Sequence, residues 1–356
     1  MPNVPAAVPT SRAANPRPPA MSDVAVVAGV SHQTVSRVLN DHPSVRPETR
    51  ARVLAAIAEL GYRRNSAARA LVTRRTGVLG VVAPASTLFG PTSTLVGLQE
   101  SARLVGAVVA VAMLRSFDAD SMHQAVEQFL TQGVEGLAVI APNTEVMQVL
   151  EQAPTSLPVV IVSSGDLGTE AEHLHQVAVD QRGGGRLATS HLLAQGYGEV
   201  VHVAGPQDWF DAQERLAGWR DACRSAGIEP GAPIEPAAPM ESGWSAAHGA
   251  AVGRRLVKEG LPRAVFAAND QLAIGLLHAF WEAGVRVPDD VAVAGFDDEA
   301  GAAYTIPALT TVRQDLAALG ARAVRVLMGA TAGSPPTVGI IPAHLVVRAS
   351  SLRRTS

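Results

Sequence analysis

The sequence predicts an α plus α/β protein, with a small helical head at the N-terminus and a larger body of two lobes. Residues 21–72 carry short helical patterns and no strand pattern, whereas from Gly77 onward short apolar runs alternate with amphipathic helical segments. This alternation occurs in two successive series, and strands rich in Val and Ala without polar alternation are typical of parallel sheets covered on both faces. A length of 356 residues is enough for two or three domains.

Charge is divided unevenly between these two parts. Residues 1–76 contain 11 Arg against 4 Asp and Glu, a net charge of +7, so the remainder must carry −10 to give the overall −3. A basic head on an acidic body is expected where only one end of a protein meets phosphate. The single cysteine, Cys223, excludes an internal disulfide framework, and its helical surroundings predict a thiol in the core.

We expect residues 1–20 to be a disordered extension, because prolines interrupt them and they lack the apolar segment of a secretion signal. Met21 offers an alternative start for the protein. No apolar run in the sequence approaches the length of a membrane span. We therefore expect a cytoplasmic protein without a membrane partner.

The stretch from Ser22 to Asn40 has the pattern of a helix-turn-helix. A short first helix ends at Gly29, where a left-handed residue is favoured, and Ser31 can cap a second helix over residues 32–39. In this motif the second helix enters the major groove of DNA. The alternative for the turn alone is a short amphipathic helix pair within a helical core.

The second helix leaves a polar face outward. Val35 and Val38 point inward at helical spacing, and the outer face keeps His32, Gln33, Ser36 and Arg37. Because Gln can form two hydrogen bonds with adenine and Arg can do the same with guanine, this face is able to distinguish bases.

A third helix and a hinge complete the head. Pro47 suits the first position of a helix that Gly61 ends, although Arg46 before it is a poor cap. Its apolar face would recur at Thr49, Val53, Ala56, Ile57 and Leu60. A last helix over residues 67–72 is too short to be stable alone, so we expect DNA or a partner copy to support it. We assign residues 21–62 to the head and 63–76 to the hinge and linker.

The body, residues 77–356, is predicted to contain two Rossmann-like lobes. The first series of strands is Val78–Val82, Ala107–Leu114, Gly136–Ile140 and Val159–Val162, with helices Thr92–Leu104, Ala119–Gln132 and Thr144–Gln152. The second series has strands Val200–Val203, Ala264–Ala267 and Val291–Gly295, with helices Gly184–Ala194, Asp211–Ala226, Ser245–Glu259 and Gln271–Ala283. Ligands of open parallel sheets bind beyond the carboxyl ends of the strands, which predicts a site in the cleft between the lobes.

Polar residues lie where such a cleft is expected. Asn269 and Asp297 each follow a predicted strand, Arg215 lies on a predicted helix, and Trp244 lies in a predicted loop. An aromatic face can cover the C–H groups of a sugar ring while Arg, Asn and Asp bind its hydroxyls. The sequence therefore predicts a site for a sugar-like ligand.

The head and hinge resemble the LacI/GalR repressor family, because AGVS, TVSRVLN, ELGY and the N-x-x-A-R-x-L hinge occur in order and at the family's spacing. The resemblance implies that one set of residues contacts operator bases and another contacts the phosphate backbone or the minor groove. The base-contacting set is His32, Gln33 and Arg37, and the other set is Ser31, Thr34, Ser36, Asn40 and the hinge residues Asn65 and Leu71. Leu71 would wedge between base pairs and bend the duplex.

The body resembles the lac repressor branch of the same family through HVAGP, RLAGW, WSA, ANDQLAIG, VAVAGFDD and IPALTTVRQD. The resemblance implies a periplasmic-binding-protein-type body in which Arg215, Trp244, Asn269 and Asp297 contact the effector. The N-lobe would contain residues 77–177 and 306–335, and the C-lobe residues 178–305 and 336–350. Ser163 and Val179 replace an aspartate and a phenylalanine of lac-type members, which predicts a different sugar.

Enzymatic chemistry finds no support in the sequence. It shows no nucleophile–base pair and no cofactor loop, and we expect neither a metal nor a cofactor. Asp297 and Asp298 are neighbours whose side chains should point apart. Gly183–Gly185 lack the spacing of a phosphate-binding loop, and we expect a loose helix start there. Trp209 and Trp219 are expected to be packing residues.

The functional prediction is a DNA-binding transcriptional repressor of carbohydrate-utilisation genes, located at the nucleoid. A homodimer would bind a pseudo-palindromic double-stranded operator, and a sugar-like effector would release it. The alternatives are a sugar-binding receptor for transport, a regulator that needs a co-repressor, and an enzyme of sugar or nucleotide metabolism.

Overall fold

The computed structural model describes residues 17, 19–63, 75–115, 118–141, 157–165, 174–236, 240–330 and 334–353. The chain divides into two compact units, Met1–Arg75 and Thr76–Ser356. Most of the predicted extension, the predicted hinge helix with Asn65 and Leu71, and the predicted helix 144–152 lie outside the described residues.

The described part of the head unit is a core of three helices. Its helices are α1 (Met21–Ala28), α2 (His32–Leu39) and α3 (Pro47–Leu60). Gly29 follows α1 with φ of 63°, a left-handed conformation in which glycine carries no steric penalty, and this permits the tight turn into α2. The predicted inward residues are confirmed, because Val35 and Val38 are buried against the fully buried Val24 and Val53.

The body unit alternates strands and helices, as the sequence predicted. Its described strands are β1 (Val78–Pro84), β2 (Val108–Leu114), β3 (Leu137–Ile140), β4 (Val159–Val162), β5 (His175–Val179), β6 (Val201–Val203), β7 (Ala264–Ala267), β8 (Ala292–Ala294), β9 (Thr311–Arg313), β10 (Val338–Ile341) and β11 (His344–Val346). Its described helices are α4 (Phe89–Leu104), α5 (Ala119–Thr131), α6 (Gln181–Ala194), α7 (Phe210–Ser225), α8 (Ala246–Glu259), α9 (Asp270–Glu282) and α10 (Leu316–Gly329), with short 3₁₀ helices at Met240–Trp244 and Ala302–Tyr304.

Two parallel sheets define two lobes of this unit. The N-lobe sheet has the strand order β10-β5-β4-β3-β1-β2 with every pairing parallel. Its central strands β3 and β4 are buried along their whole length. The C-lobe sheet is β6-β7-β8, also parallel, and the antiparallel pair β9–β11 lies beside it through a bridge between Ala294 and Thr310.

These pairings correct the predicted lobe boundaries. Residues 306–313 were assigned to the N-lobe, but β9 bridges Asp297 of the C-lobe. Residues 336–341 were assigned to the C-lobe, but β10 pairs with β5 in the N-lobe sheet. The chain therefore crosses between the lobes after β5, after β9 and after β10. Strand pairing over long sequence separations decides this, and local patterns carry no signal for it.

The predicted start of α6 also changes. The sequence predicted a loose start at Gly184, whereas the helix begins at Gln181 and includes the three glycines. A Cβ on Gly185 would lie 2.5 Å from the carbonyl oxygen of Arg215. Gly185 therefore allows α6 and α7 to pack closely, which places Arg215 next to the first crossover.

Candidate nucleic-acid interface and ligand cleft

The outer face of α2 presents most of the residues predicted to contact DNA. Ser31, His32, Gln33, Arg37 and Asn40 are exposed, and Thr34 and Ser36 are half-buried. The spacing of four residues between Gln33 and Arg37 puts both side chains on one helix face. An exposed Gln and an exposed Arg on one face of a second helix suit contact with base edges in a major groove.

Local bonds hold this helix in place. The Thr34 N–H donates to the Ser31 hydroxyl oxygen at 3.2 Å, so Ser31 is the predicted N-cap. After α2, Arg50 of α3 donates to the Asp41 carboxylate at 2.6 Å and to the His42 carbonyl at 3.2 Å. These bonds fix the turn that follows the helix.

The four residues predicted to contact an effector line a single cavity of about 620 Å³ in the body unit. Arg215 reaches it from α7, Trp244 from the turn before α8, and Asn269 and Asp297 from the ends of strands β7 and β8. Its opposite wall is formed by residues 87–93 at the start of α4 in the N-lobe. The cavity thus lies between the two lobes, in the predicted place.

Arg215 is almost completely buried and bonded on every side. Its Nε donates to the Gln181 side-chain oxygen at 2.9 Å and its Nη1 to the Ala268 carbonyl at 2.6 Å. Its Nη2 lies 3.4 Å from Asp297 Oδ1, and its guanidinium lies 3.8 Å from the centroid of the Phe296 ring. The guanidinium is therefore held in one position by its neighbours.

Asn269 organises the cavity wall. Its side-chain oxygen accepts a hydrogen bond from the Leu272 N–H at 2.9 Å and caps α9, and its Nδ2 donates to the Trp244 carbonyl at 3.1 Å. The Trp244 ring packs edge-to-face against Trp209 at 5.8 Å between centroids. The buried Nε1 of Trp244 has no hydrogen-bond partner in the described part of the chain.

Two carboxyl groups below the cavity have raised pKa values. Burial raises the pKa of Asp297 to about 7, and the neighbouring Arg215 acts in the opposite direction. Burial and repulsion from Asp297 raise the pKa of Asp270 to about 8. Asp297 and Asp298 point to different partners, as predicted, because Asp298 binds Arg313 and Arg348.

Several cavity residues were not predicted. Asp211 and Glu299 line the cavity with carboxylates, and Trp209, which packs in the core of the C-lobe as predicted, lines it as well. Trp219 is a packing residue, fully buried with its Nε1 bonded to the Val200 carbonyl. Asp211 lies one helical turn before Arg215 on the same helix, and this spacing is the local signal that indicates it as a cavity residue.

The region where lac-type members carry an aspartate is also polar here. Ser163 and Val179 line a small cavity next to the main one, together with Asp211. The Ser164 hydroxyl of the N-lobe donates to Asp211 of the C-lobe at 2.5 Å. The carboxylate next to Ser163 and Val179 is therefore that of Asp211, which belongs to the C-lobe.

Neither a metal site nor a membrane-spanning helix occurs in the described part of the chain. Its residues include no group of three or more His, Cys, Asp or Glu side chains placed to hold a metal ion. None of its helices is both long and apolar enough to span a membrane.

Comparison with known proteins places this geometry in a family. Residues 20–65 match the family "Bacterial regulatory proteins, lacI family", and residues 189–351 match a "Periplasmic binding protein-like domain". The lactose operon repressor of Escherichia coli K12 is 33% identical over 94% of this chain and 91% of its own length. The chain belongs to the LacI family.

Other relatives and solved structures agree with this assignment. The regulator CelR of Thermobifida fusca is 34% identical over 94% of this chain and 98% of its own length. The lac repressor dimer bound to operator and the anti-inducer ONPF has a TM-score of 0.75 at 33% identity, covering 95% of this chain and 100% of that one. A CelR–cellobiose complex has a TM-score of 0.66 at 32% identity, covering 93% and 99%.

Family membership settles the class of function. This LacI-family chain is a sequence-specific DNA-binding transcriptional regulator with a helix-turn-helix head and a two-lobed α/β body. The relatives that it matches are transcriptional regulators rather than enzymes.

Proposed function

We propose that the protein is a repressor that a neutral sugar, bound in the cleft, releases from its operator. The chemistry of the cleft carries this proposal. Among the described residues that line the cavity, Arg215 is the only Arg or Lys, and neighbouring groups already engage its Nε, Nη1 and Nη2. Asp211, Asp297 and Glu299 line the same space with carboxylates.

This balance favours hydroxyl groups over anions. Carboxylate oxygens accept hydrogen bonds from sugar hydroxyls, whereas a phosphate or carboxylate ligand would meet acidic groups and no available guanidinium. Trp209 and Trp244 offer aromatic surface for the C–H faces of a sugar ring. The cavity volume lies within the range of small-ligand sites.

On the DNA side, we propose that a homodimer binds a pseudo-palindromic operator in the cytoplasm, at the nucleoid. Two-fold symmetry of the protein matches two-fold symmetry of the site. His32, Gln33 and Arg37 would contact bases, and Ser31, Thr34, Ser36 and Asn40 would lie near the backbone. The hinge residues Asn65 and Leu71 would act at the operator centre. The similar lac repressor structure is described as a dimer bound to operator, which supports this assembly.

A mobility-shift assay with the full-length protein and the DNA upstream of its own gene tests the proposal. Cellobiose is the first probe, because the similar CelR structure is described as a cellobiose complex. Lactose and glucose follow, and glucose 6-phosphate is the anionic control. We expect a specific shift that a neutral sugar reduces and the phosphate ester does not. No specific shift with or without sugars would sink the proposal.

A pair of variants separates the cleft from the head. Trp244→Ala should bind the operator like the wild type and resist release by the sugar, whereas the exposed control Lys258→Ala should behave like the wild type throughout. A sugar that strengthens the shift would favour the regulator that needs a co-repressor. Export of the protein to the cell envelope would favour the transport receptor.

A further inference from the structure

The cleft residues Arg215 and Asp297 belong to a closed ring of buried side chains that includes two glutamines. Arg215 Nε donates to Gln181 Oε1 at 2.9 Å, and Gln181 Nε2 donates to Gln314 Oε1 at 2.9 Å. Gln314 Nε2 donates to Asp297 Oδ1 at 2.7 Å, and the same oxygen lies 3.4 Å from Arg215 Nη2. All four side chains are less than a tenth exposed.

The orientation of both amides follows from the ring itself. Arg215 can only donate, so Gln181 must accept from it and donate to Gln314, and Gln314 must in turn donate to Asp297. Turning either amide over would bring two donors or two acceptors together. The ring therefore has one bonding arrangement in which every partner is satisfied.

The two glutamines lie on the connections between the lobes. Gln181 follows β5 at the first crossover, and Gln314 follows β9 at the second. The first and third crossovers are joined by a backbone bond from the Asp180 N–H to the Ile341 carbonyl at 2.8 Å. The first two crossovers are thus linked to Arg215 and Asp297 through the glutamines, and the third is linked to the first through the Asp180–Ile341 bond.

Asp298 reinforces the same junction from the other side. Its carboxylate accepts from Arg313 Nε and from Arg348 Nη2, each at 2.6 Å. Asp297 and Asp298 both adopt positive φ, 116° and 54°, a conformation that costs energy in residues other than glycine. The surrounding bonds hold this strained pair at the point where cleft and crossovers meet.

We propose that Gln181 and Gln314 are positioning residues, a pair of amides that ties the angle between the lobes to Arg215 and Asp297 in the cleft. This inference rests on the proposed function in taking the cleft as the effector site. A ligand that draws Asp297 or Arg215 toward itself must lengthen or break a bond of the ring. The crossovers then lose one of the bonds that fix them, and the lobes can change their angle.

Amide hydrogen exchange of the full-length protein, without DNA or sugar, tests the ring directly. Methionine has nearly the shape of glutamine and lacks its hydrogen bonds, so the variants are Gln181→Met, Gln314→Met and both together. Each single variant removes two hydrogen bonds of the ring and should speed exchange about thirtyfold in peptides covering residues 177–183 and 312–318. This factor corresponds to about 2 kcal/mol, the usual net worth of two buried hydrogen bonds.

The double variant gives the decisive readout. If the glutamines form one ring, a single substitution already opens it. The double variant should then exchange about as fast as either single variant. A purely structural role predicts a different result: each variant affects only its own crossover, or the two effects multiply wherever both act. That result would overturn the proposal, and so would unchanged exchange at both crossovers.

Two further variants separate loss of the ring from general destabilisation of the fold. Gln181→Glu keeps the bond from Arg215 and loses only the donation to Gln314, so it too should speed exchange at both crossovers even if the methionine variants fold poorly. Thr337→Val is the control, because it breaks the 2.8 Å bond to His175 within the N-lobe sheet and should leave both crossovers unchanged. Since neither operator nor sugar is present, failure of the ring and failure of the proposed function can be told apart.

Discussion

The buried carboxyl group of Asp270 makes a specific prediction about stability and pH. Asp270 begins α9 and is fully buried, with one oxygen accepting from the Thr311 hydroxyl at 2.6 Å and the other from the Glu299 N–H at 2.8 Å. Burial and repulsion from Asp297 raise its pKa from 3.8 to about 8. The folded protein therefore binds a proton at this group that the unfolded chain releases above about pH 4.

The sign of the effect follows from this difference. The stabilisation is complete below the unfolded pKa and is lost as the pH rises toward the folded pKa. Each pH unit in that window costs about 1.4 kcal/mol, so this group should lower the free energy of unfolding by about 4 kcal/mol between pH 5 and pH 8.

The substitution Asp270→Asn isolates this contribution. The amide imitates the protonated acid, since its nitrogen can donate to the Thr311 hydroxyl while its oxygen accepts from the Glu299 N–H. We expect similar stability for variant and wild type at pH 5, and a variant that is more stable by about 4 kcal/mol at pH 8. Urea unfolding of the full-length protein, followed by tryptophan fluorescence across this pH range, measures the difference.

A control and a refuting outcome complete this test. Asp290→Asn changes a half-buried carboxylate that pairs with Arg286 and has a lowered pKa, and it should not reproduce the gain at pH 8. If wild type and Asp270→Asn lose stability in parallel as the pH rises, then the carboxyl group of Asp270 titrates normally and the prediction is wrong.

Three further predictions concern the head, the core and the cleft. Arg37→Ala should relax discrimination at one operator base pair by about 1–3 kcal/mol in competition assays, whereas equal weakening on all DNA sequences would make Arg37 a phosphate contact. Burial lowers the pKa of His202 to about 3, so the free energy of unfolding decreases as the pH falls below 6.5. In urea unfolding, His202→Leu should therefore lose about 3 kcal/mol less than the wild type between pH 7 and pH 4.5. A Cβ on Gly205 would lie 2.3 Å from the Trp244 ring, so Gly205→Ala should weaken sugar binding measured by calorimetry and leave operator affinity unchanged.

Local patterns predicted the elements of this protein well. The helix-turn-helix, the capping by Ser31 and most strands and helices of both lobes follow from periodicity, caps and glycines, which act over a few residues. The four predicted cleft residues also meet at one cavity, because parallel strands expose their carboxyl ends at the same edge of a sheet.

Features set by distant contacts were not predictable in this way. Gln181 and Gln314 are 133 residues apart, and neither stands out within its own segment. The pairing of β10 with β5 reverses the predicted lobe assignment of residues 336–341 for the same reason. The bond between Ser164 and Asp211 joins residues that are 47 positions apart, so local patterns do not predict it either.

The central claim is that a neutral sugar in the cleft controls operator binding by the head. Its most direct test is the operator affinity of the full-length wild type and of Trp244→Ala, measured by fluorescence anisotropy during a cellobiose titration. We expect the sugar to weaken operator binding of the wild type and to leave the variant bound, with equal affinities when sugar is absent. Equal release of wild type and variant, or release by glucose 6-phosphate alone, would contradict the claim.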